Sequence, residues 1–386
     1  MIARLSASKL LQLASDFIAV AVTGARQAGK TTLVKELFKD KPYVSLENPD
    51  QRGFALEDPR GFLATYPGGA ILDEVQRTPE IFSYLQEMLD DSNEKGLFIL
   101  TGSNNFLLQQ NISQSLAGRV GFMNLPTFSI EELEKGGIID ASDDTLMWKG
   151  FYPPVYDQSI PPNDWYPNYV RTYIERDVRQ IRNITDLLVF ERFLKLLAGR
   201  SGQELNYSAL AVEAGVDVKT IQSWIGILES SFIVHLLPPY HRNFNKTVVK
   251  RPKLYLSDTG LLCHLLGIRE PEHLTAHPLR GAVFETMVVN ELVKTRMQQG
   301  LSSDLTYWRE KTGHEIDIVM ERKGMTLPVE IKSGQTIGGE FFKNLKYWTR
   351  ITGLGDSFVL YAGAAEQRRS DGCIVMPWRK GVSALH

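Results

Sequence analysis

The sequence predicts a mixed α/β protein built from three successive units. Three observations support this: a glycine-rich loop between an apolar strand and a helix early in the chain, closely spaced helix patterns in the middle, and acidic residues on one helix and two strands in the last third. At 386 residues the chain is too long for one compact core. We place the units at residues 1–165, 166–256 and 257–386.

The composition is typical of a globular protein, with 43% hydrophobic and 23% charged residues and a net charge of −2. No apolar run approaches the ~20 residues needed to span a bilayer, and residues 1–15 have the pattern of an amphipathic helix rather than a signal peptide. We therefore expect a cytoplasmic protein without membrane contact. Cys263 and Cys373 lie far apart, without metal-ligand spacing, and we expect inert thiols.

Residues 17–38 read as strand, glycine loop and helix. The loop has the spacing G-x-x-x-x-G-K-T, and glycine permits the backbone angles that turn N–H groups toward a polyphosphate. Lys30 can reach the β- and γ-phosphates, and the Thr31 hydroxyl is placed to bind Mg²⁺ at the positive end of the helix. The alternative is an ordinary strand-turn-helix with two glycines. We predict a nucleoside triphosphate site formed by Gly24, Ala25, Arg26, Gln27, Ala28, Gly29, Lys30, Thr31 and Thr32.

The apolar strand at residues 69–72 ends in two carboxylates, Asp73 and Glu74. In proteins with such a loop, an acid at this strand end holds the Mg²⁺ shell, and an adjacent Glu can orient and deprotonate the attacking water. We assign Asp73 to the metal and Glu74 to catalysis. Two acids in the first turn of a helix are the alternative, but the preceding glycine loop favours the catalytic interpretation.

Two further residues are candidate catalytic groups of the same site. Ser103 follows the next apolar strand, where its hydroxyl can sense the γ-phosphate; Asn104 is the second candidate, and a role in turn formation is the alternative. Arg119 can reach a phosphate in its own subunit or in a neighbour's, or it can form an exposed salt bridge. Arg26 is the other candidate for completing a neighbour's site.

Four motifs carry a resemblance to a known family: G-A-R-Q-A-G-K-T-T-L at 24–33, L-D-E-V-Q at 72–76, L-T-G-S at 100–103 and S-L-A-G-R at 115–119. Through them the sequence resembles AAA-type bacterial and archaeal ATPases whose C-terminal half carries DUF4143, a domain of unknown function. The resemblance covers nearly the whole chain. It implies a P-loop NTPase domain of AAA+ type that uses ATP and Mg²⁺, and it defines the architecture better than the biological role.

The middle unit is basic, because residues 170–256 contain thirteen Lys and Arg against eight Asp and Glu. Residues 125–170, rich in Pro, Gly and aromatic side chains, read as a lid or linker. The helix pattern that follows suits phosphate contacts, although a solvated charged face is the more usual explanation. Its arginines are Arg171, Arg176, Arg179 and Arg182.

Helix patterns at 187–199, 207–214 and 218–230, followed by a strand at 232–237, resemble a winged helix-turn-helix with a basic wing at 242–253. The wing's cations would neutralise DNA phosphates. Many winged helices bind proteins instead, so DNA and a protein are both candidate partners. The residues expected to face a DNA groove are Lys219, Thr220, Gln222 and Ser223.

The last unit opens on a helix that contains Glu285, and strand patterns follow at 305–310, 315–321 and 327–331. Residues two apart in a strand point to the same face. Glu330 and Lys332 therefore share a side, and an acid from the neighbouring strand can join them.

The order Asp317, Glu330, Lys332 resembles the restriction-endonuclease-like fold, whose site is an Asp followed by Glu-x-Lys. The resemblance implies Asp317 and Glu330 as Mg²⁺ ligands, Lys332 as a catalytic residue and Glu285 as an auxiliary ligand. The alternatives are edge-strand salt bridges, and a nuclease fold that has lost activity but still binds DNA.

Together these patterns predict an ATP-hydrolysing protein in which ATP binding closes the first unit on the middle one and presents DNA to the last unit for metal-dependent cleavage. The alternative is an ATP-dependent switch that binds a protein or DNA without cutting it. A homo-oligomer is expected if an arginine completes a neighbour's site.

Overall fold

The computed structural model describes residues 2–385, apart from 103–107, 109–111, 113, 139–141, 175–186, 241–248 and 323. Several sequence predictions concern residues outside the described part of the chain. They are Ser103 and Asn104, three arginines of the middle unit (Arg176, Arg179 and Arg182), and the greater part of the predicted wing, residues 241–248.

The first sheet contains β1 (Ala19–Thr23), β2 (Tyr43–Ser45), β3 (Ile71–Asp73), β4 (Phe98–Thr101) and β5 (Val120–Asn124). Its strands are parallel, in the order β2-β3-β4-β1-β5. They are short, mostly buried runs, as expected for a parallel sheet covered on both faces. β3, β4 and β1 are parallel neighbours, so their carboxyl ends lie at one edge of the sheet. Ligands usually bind at this edge in such sheets.

The described helices up to residue 135 are α1 (Ser6–Asp16), α2 (Lys30–Leu37), α3 (Pro49–Glu57), α4 (Pro59–Ala64), α5 (Ile81–Asp90) and α6 (Ile130–Lys135), with a 3₁₀ turn at Val75–Arg77. α2 begins directly at the glycine loop. α6 begins with a capping box, in which the side chains of Ser129 and Glu132 each accept a hydrogen bond from the other's backbone N–H. This cap fixes the chain that leaves β5.

The middle of the chain contains α7 (Asp143–Lys149), α8 (Pro153–Asp157), α9 (Pro162–Tyr169), a π turn (Val170–Ile174), α10 (Leu187–Ala198), α11 (Tyr207–Ala214), α12 (Val218–Ser230), α13 (Thr259–Leu265) and α14 (Pro271–Thr275). The strands β6 (Gln203–Glu204), β7 (Val234–Leu237) and β8 (Lys253–Leu256) form an antiparallel sheet in the order β6-β8-β7. α11 and α12 have the bounds that the sequence predicted. Along α12, buried residues recur at helical spacing up to Leu228, which is the pattern that predicted this helix.

The last unit contains α15 (Arg280–Gln298), β9 (Thr306–Arg309), β10 (Glu315–Arg322), β11 (Met325–Lys332), a 3₁₀ turn (Gly339–Phe342), α16 (Lys343–Thr352), β12 (Ser357–Tyr361), β13 (Gln367–Arg368), β14 (Cys373–Pro377) and α17 (Trp378–Ala384). The sheet order is β13-β14-β12-β11-β10-β9. β9, β10 and β11 form an antiparallel meander, and β12 pairs with β11 and β14 in parallel. The three predicted strands are confirmed to within about two residues.

α15 connects the units through a shared core. It is buried along most of its length, and one hydrophobic cluster joins Phe128 of the first unit, Phe193 of the middle unit and Ile318 of the last to Val289 in this helix. A helix enclosed in this way need not be amphipathic. Neither α15 nor any other helix of the described part is both long and apolar enough to cross a membrane.

Candidate functional site

The glycine loop makes a tight turn between β1 and α2. Gly24 has a φ of 146°, and a Cβ at this position would overlap the carbonyl oxygen of Leu125, the residue after β5. Gln27, with φ 62°, and Gly29, with φ 93°, also adopt positive φ angles. Alternation of such residues with ordinary ones is typical of the backbone concavities that bind anions. The loop therefore fits the predicted polyphosphate site.

Lys30 lies across this loop. Its side chain is nearly buried, and Nζ donates hydrogen bonds to the carbonyl oxygens of Gly24 at 2.8 Å and Ala25 at 2.9 Å. A buried ammonium group requires such partners, and phosphate oxygens form stronger, charge-assisted hydrogen bonds with it. Lys30 is thus positioned at the loop where a phosphate would bind.

Hydroxyl groups from three elements converge on the carboxylate of Asp73 at the end of β3. The Thr31 hydroxyl donates to Oδ2 at 3.0 Å and the Tyr43 hydroxyl to the same atom at 2.6 Å, while Thr101 donates to Oδ1. Burial and the hydrogen bond to Asp73 raise the pKa of Tyr43 above its usual range, so its phenol stays neutral and keeps donating. Tyr43 and Thr101 thereby orient Asp73 toward Thr31.

The predicted metal ligands therefore lie side by side. Thr31 and Asp73 supply a hydroxyl and a carboxylate oxygen at the carboxyl edge of the sheet. Oxygen donors of this kind are those that Mg²⁺ prefers, with the remaining positions filled by water and substrate phosphates. The donor set fits a magnesium ion shared with a nucleotide.

Glu74, the predicted catalytic residue, follows Asp73 in the left-handed region with φ 58°. This conformation is costly for a residue with a side chain, and such outliers concentrate at functional sites. The side-chain amide of Gln76 donates a hydrogen bond to Glu74 Oε2. Gly102 lies against Gln76, where a Cβ would overlap the amide oxygen. Gly102 thus leaves room for the side chain that orients Glu74.

A cleft of about 110 Å³ adjoins the loop on the side of α2. The residues that line it include Gly29, Thr32, Leu33, Ile2, Arg4, Phe128, Pro153, Pro154 and Asp157.

Arg4 connects this cleft to the chain after β5. Its guanidinium donates hydrogen bonds to the carbonyl oxygen of Ala28 at 2.7 Å and that of Pro126 at 2.6 Å, and Nε bonds the carboxylate of Glu132 at 3.1 Å. Arg4 and Glu132 are almost fully buried. One side chain therefore holds the glycine loop against the cap of α6.

A second cluster of charged residues lies in the last unit. Lys332 at the end of β11 contacts the Oε2 atom of Glu330 on the same strand and lies 3.6 Å from Oδ2 of Asp317 on β10. Asp317 Oδ2 also accepts the backbone N–H of Ile331 at 2.8 Å. The strand periodicity placed these three side chains on one face, and the structure brings them together.

Burial makes this cluster electrostatically unusual. Burial, together with the charge of Asp317, raises the pKa of Glu330 to about 8. Burial alone would lower the pKa of Lys332, but the carboxylates of Asp317 and Glu330 raise it above its usual range. Perturbed groups of this kind are enriched at functional sites but also occur in structural ion pairs.

Glu285, the predicted auxiliary ligand, has other partners. Its Oε1 accepts hydrogen bonds from Lys253 at 3.1 Å and from the Tyr255 hydroxyl at 2.7 Å. Within the described residues no three His, Cys, Asp or Glu side chains are arranged to hold a metal ion. In this cluster, lysine ammonium groups lie between the carboxylates.

Three family models match successive parts of the chain. An AAA domain model matches residues 16–134, a domain of unknown function, DUF8612, matches 141–272, and another, DUF4143, matches 280–380.

Two curated mycobacterial relatives match over most of the chain. They are the uncharacterized proteins Rv2008c of Mycobacterium tuberculosis and Mb2031c of Mycobacterium bovis, each 31% identical over 321 residues, which is 82% of this chain and 70% of the relative. The chain belongs to the AAA-type P-loop ATPases that carry a DUF4143 domain.

Solved structures similar to this AAA-type protein include two archaeal ATPases. The Walker-type ATPase PABY2304 of Pyrococcus abyssi is 14% identical, with a TM-score of 0.40, over 69% of this chain and 96% of its own. The signal transduction ATPase PH0952 of Pyrococcus horikoshii, which has a tetratricopeptide repeat sensor, is 13% identical, with a TM-score of 0.24, over 79% of this chain and 48% of its own.

The P-loop residues and the two carboxylates at the end of β3 lie together in this AAA-type domain, but Arg119 does not join them. It precedes β5 and so lies at the amino end of the strands, whereas the loop lies at their carboxyl end. A strand of five residues is about 16 Å long, which separates Arg119 from the loop. Arg119 pairs with Asp90. Within its own subunit Arg119 therefore forms the salt bridge named as the alternative. Arg26 lies in the loop itself, and a role for either arginine in a neighbour's site stays a prediction.

Several residues of both sites were missed at the sequence level. Tyr43 begins β2 and Thr101 ends β4, so their convergence on Asp73 follows from a strand order that the sequence does not reveal. Gln76 lies within a recognised motif, but no spacing rule assigns it to Glu74. Arg4 and Lys253 reach their sites from distant segments and have no local signal.

Proposed function

We propose that this protein hydrolyses ATP at the glycine loop and uses the ATP cycle to control a metal-dependent, nucleic-acid-cleaving site in its last unit. The observation that carries the first part is the convergence of Thr31 and Asp73, at 3.0 Å, beside the loop that Lys30 spans. Glu74, oriented by Gln76, is the base that positions and activates water.

Each side chain has a distinct part in this proposal. Lys30 exchanges its contacts with the loop carbonyls for contacts with phosphate oxygens and neutralises their charge. Thr31 and Asp73 would hold Mg²⁺, and the ion would supply positive charge to neutralise the phosphate. Glu74 accepts the proton of the attacking water.

ATP turnover by purified protein tests this assignment. Lys30→Ala should abolish turnover, and Glu74→Gln should retain bound ATP without hydrolysing it. Unaltered hydrolysis in either variant would show that the catalytic residues lie elsewhere.

The topology of the two later units supports the nucleic-acid part of the proposal. In the middle unit, α10, β6, α11, α12 and the β7–β8 pair follow the order of a winged helix, and Lys219 and Gln222 are exposed on α12. Thr220 is engaged in capping α12 through Asp217, so it is a weaker candidate for base contact. The last unit has a helix, an antiparallel meander, a helix and a parallel strand, with Lys332 and two acids at its centre.

α15 supports coupling between the sites. Its Glu291 accepts the backbone N–H of Ile130 at 2.8 Å, and its Gln298 donates to the Ser129 hydroxyl at 3.0 Å. Both contacts meet the α6 cap that Glu132 connects to Arg4 and the glycine loop. The same helix carries Glu285 at the second site, so a shift of the loop can be transmitted along it.

DNA cleavage assays test the second part. Plasmid and branched DNA would be incubated with protein and Mg²⁺ or Mn²⁺, with and without ATP, comparing the wild type with Lys332→Ala. Cleavage by the wild type that is lost in the variant supports the proposal. Intact DNA under every condition, with ATP still hydrolysed, favours the alternative of an ATP-dependent switch that binds a protein or DNA without cutting it.

A further inference from the structure

The charged cluster of the last unit includes a residue from another sheet. Lys253 lies on β8 of the middle unit and is only 2% exposed. Its ammonium contacts Glu285 on α15 at 3.1 Å and also pairs with Glu315 on β10. It lies 5.5 Å from the centre of the Tyr307 ring, a further contact that favours a cation. The site is therefore built by two units of the chain.

The site contains four carboxylates, those of Glu285, Glu315, Asp317 and Glu330. The contacts of Lys253 occupy two of them, Glu285 and Glu315. Glu315 uses both oxygens, Oε1 for Lys253 and Oε2 for Arg309 at 3.2 Å. Glu285 Oε1 accepts from Lys253 and from Tyr255. A metal ion that took the Oε1 atoms of Glu285 and Glu315 would displace the buried ammonium of Lys253 and leave its charge uncompensated.

The other two carboxylates are engaged differently. Glu330 is 1% exposed, and its Oε1 has no hydrogen-bond partner within the described part of the chain, although its Oε2 contacts Lys332. Asp317 lies beside it on the neighbouring strand, linked to Ile331. A buried carboxylate oxygen without a partner is costly, and a cation would satisfy it.

Charge balance favours one divalent ion. Among the described residues, the carboxylates of Glu285, Glu315, Asp317 and Glu330 face two ammonium groups, those of Lys253 and Lys332. Arg309 contacts both Glu315 and Glu204, so the charges of Arg309 and Glu204 cancel in this balance. Two negative charges remain when all four acids are ionised, which one divalent cation would neutralise.

We propose that Lys253 is a fixed cation of the C-terminal site, holding Glu285 and Glu315 so that the site binds a single divalent ion through Asp317 and Glu330. This inference rests on the proposed metal-dependent function of the last unit. It makes Lys253 and Glu285 positioning residues rather than metal ligands.

The backbone of Lys253 suits a fixed role. β8 is the central strand of its sheet, and Lys253 pairs with Glu204 on β6 and Leu237 on β7. A residue held on both sides keeps its ammonium in place. The position of β8 therefore decides whether the C-terminal carboxylates are arranged for one ion.

Mn²⁺ titration of the full chain without nucleotide, followed by electron paramagnetic resonance, tests this inference. The count for the single variant Glu330→Gln, which lacks one ligand of the proposed ion, is subtracted from the count for every protein, so that the difference gives the ions at this site and cancels those bound elsewhere. We expect one ion for the wild type and for Lys253→Arg, which keeps the cation. Lys253→Met should bind one more ion than the wild type, because Glu285 and Glu315 become available.

Glu285→Gln provides a second test that does not depend on Lys253→Met remaining folded. It keeps a hydrogen-bond acceptor and should still bind one ion. Loss of the ion in Glu285→Gln, two ions in the wild type, or an unchanged count in folded Lys253→Met would overturn the role of Lys253. No ion in the wild type would overturn the metal-dependent part of the proposed function and this inference with it, whereas ATP hydrolysis would be unaffected.

Discussion

The Nη1 atom of Arg4 donates a hydrogen bond of 2.7 Å to the carbonyl oxygen of Ala28, inside the glycine loop, while Nε of the same side chain bonds Glu132. Removing the arginine leaves a buried carboxylate without its charge partner. We therefore expect Arg4→Ala to lower the free energy of unfolding by about 3–5 kcal/mol, measured by chemical denaturation. It should also weaken ATP binding, because the loop loses its support.

Arg60→Ala is the matched control for this prediction. Arg60 pairs with Glu87 at 2.8 Å, but both side chains are largely exposed, at 70% and 57%. Exposed pairs contribute about 0–1 kcal/mol, so this variant should retain stability and ATP binding. Equal losses in the two variants would contradict a special role for Arg4.

Gly24 is the loop position least tolerant of a side chain. Its φ of 146° and the approach of Leu125 combine strain with steric overlap in Gly24→Ala. We expect ATP affinity to fall by about tenfold or more, corresponding to at least about 1.4 kcal/mol, as measured by calorimetry with a non-hydrolysable analogue.

Gly53→Ala makes the same change within α3, where a Cβ meets no atom within 4 Å. Alanine is the better helix former by about 1 kcal/mol, so this variant should be slightly stabilised and bind ATP normally. Wild-type affinity in Gly24→Ala would show that the loop backbone is not shaped for a phosphate.

The sequence predicts those parts of both sites that lie within one motif or one strand. The loop around Lys30, the carboxylates at Asp73 and the shared face of Glu330 and Lys332 follow from local spacing and strand periodicity. Residues that converge from separate elements could not be predicted in this way. Arg4 lies 128 positions from Glu132 and Lys253 lies 32 from Glu285, and only the packing of the units brings them together.

Within one subunit, the structure also separates the two interpretations given for Arg119. The sequence placed this residue between a helix and a strand, which suits either a phosphate contact or a salt bridge. Strand direction decides, because Arg119 lies at the amino end of β5 whereas the loop follows the carboxyl end of β1, and β1 and β5 are parallel. Parallel pairing is a tertiary property, so the motif alone could not assign the residue.

Glu291 tests coupling between the units. It is 1% exposed, pairs with Lys294 at 2.9 Å and accepts the N–H of Ile130. We expect ATP to change hydrogen exchange in α15 of the wild type. In Glu291→Gln this response should be lost although ATP still binds, because the charged contact to Ile130 is weakened.

Glu131→Gln is the control for coupling. Glu131 pairs with Lys135 on the exposed face of α6, one residue from the buried connection. Its exchange response to ATP should match that of the wild type. A full response in Glu291→Gln would mean that α15 does not transmit the state of the loop through this contact.

His235 provides a pH-dependent prediction. Its ring stacks on Tyr255 with centroids 5.4 Å apart, and burial lowers its pKa from 6.5 to about 4. Between pH 6.5 and about 4, His235 therefore binds a proton in the unfolded chain but not in the folded protein. Its contribution to stability is complete above pH 6.5 and is lost as the pH falls toward 4, with a slope approaching about 1.4 kcal/mol per pH unit. His235→Phe keeps the stacking and removes the titration, so the free energy of unfolding should fall less steeply between pH 6.5 and 4.

His264, whose pKa is also lowered to about 4, contributes in the same direction to both proteins. His273→Phe, at a side chain that is 59% exposed, should retain the wild-type slope, and an equally steep slope in His235→Phe would refute the assignment.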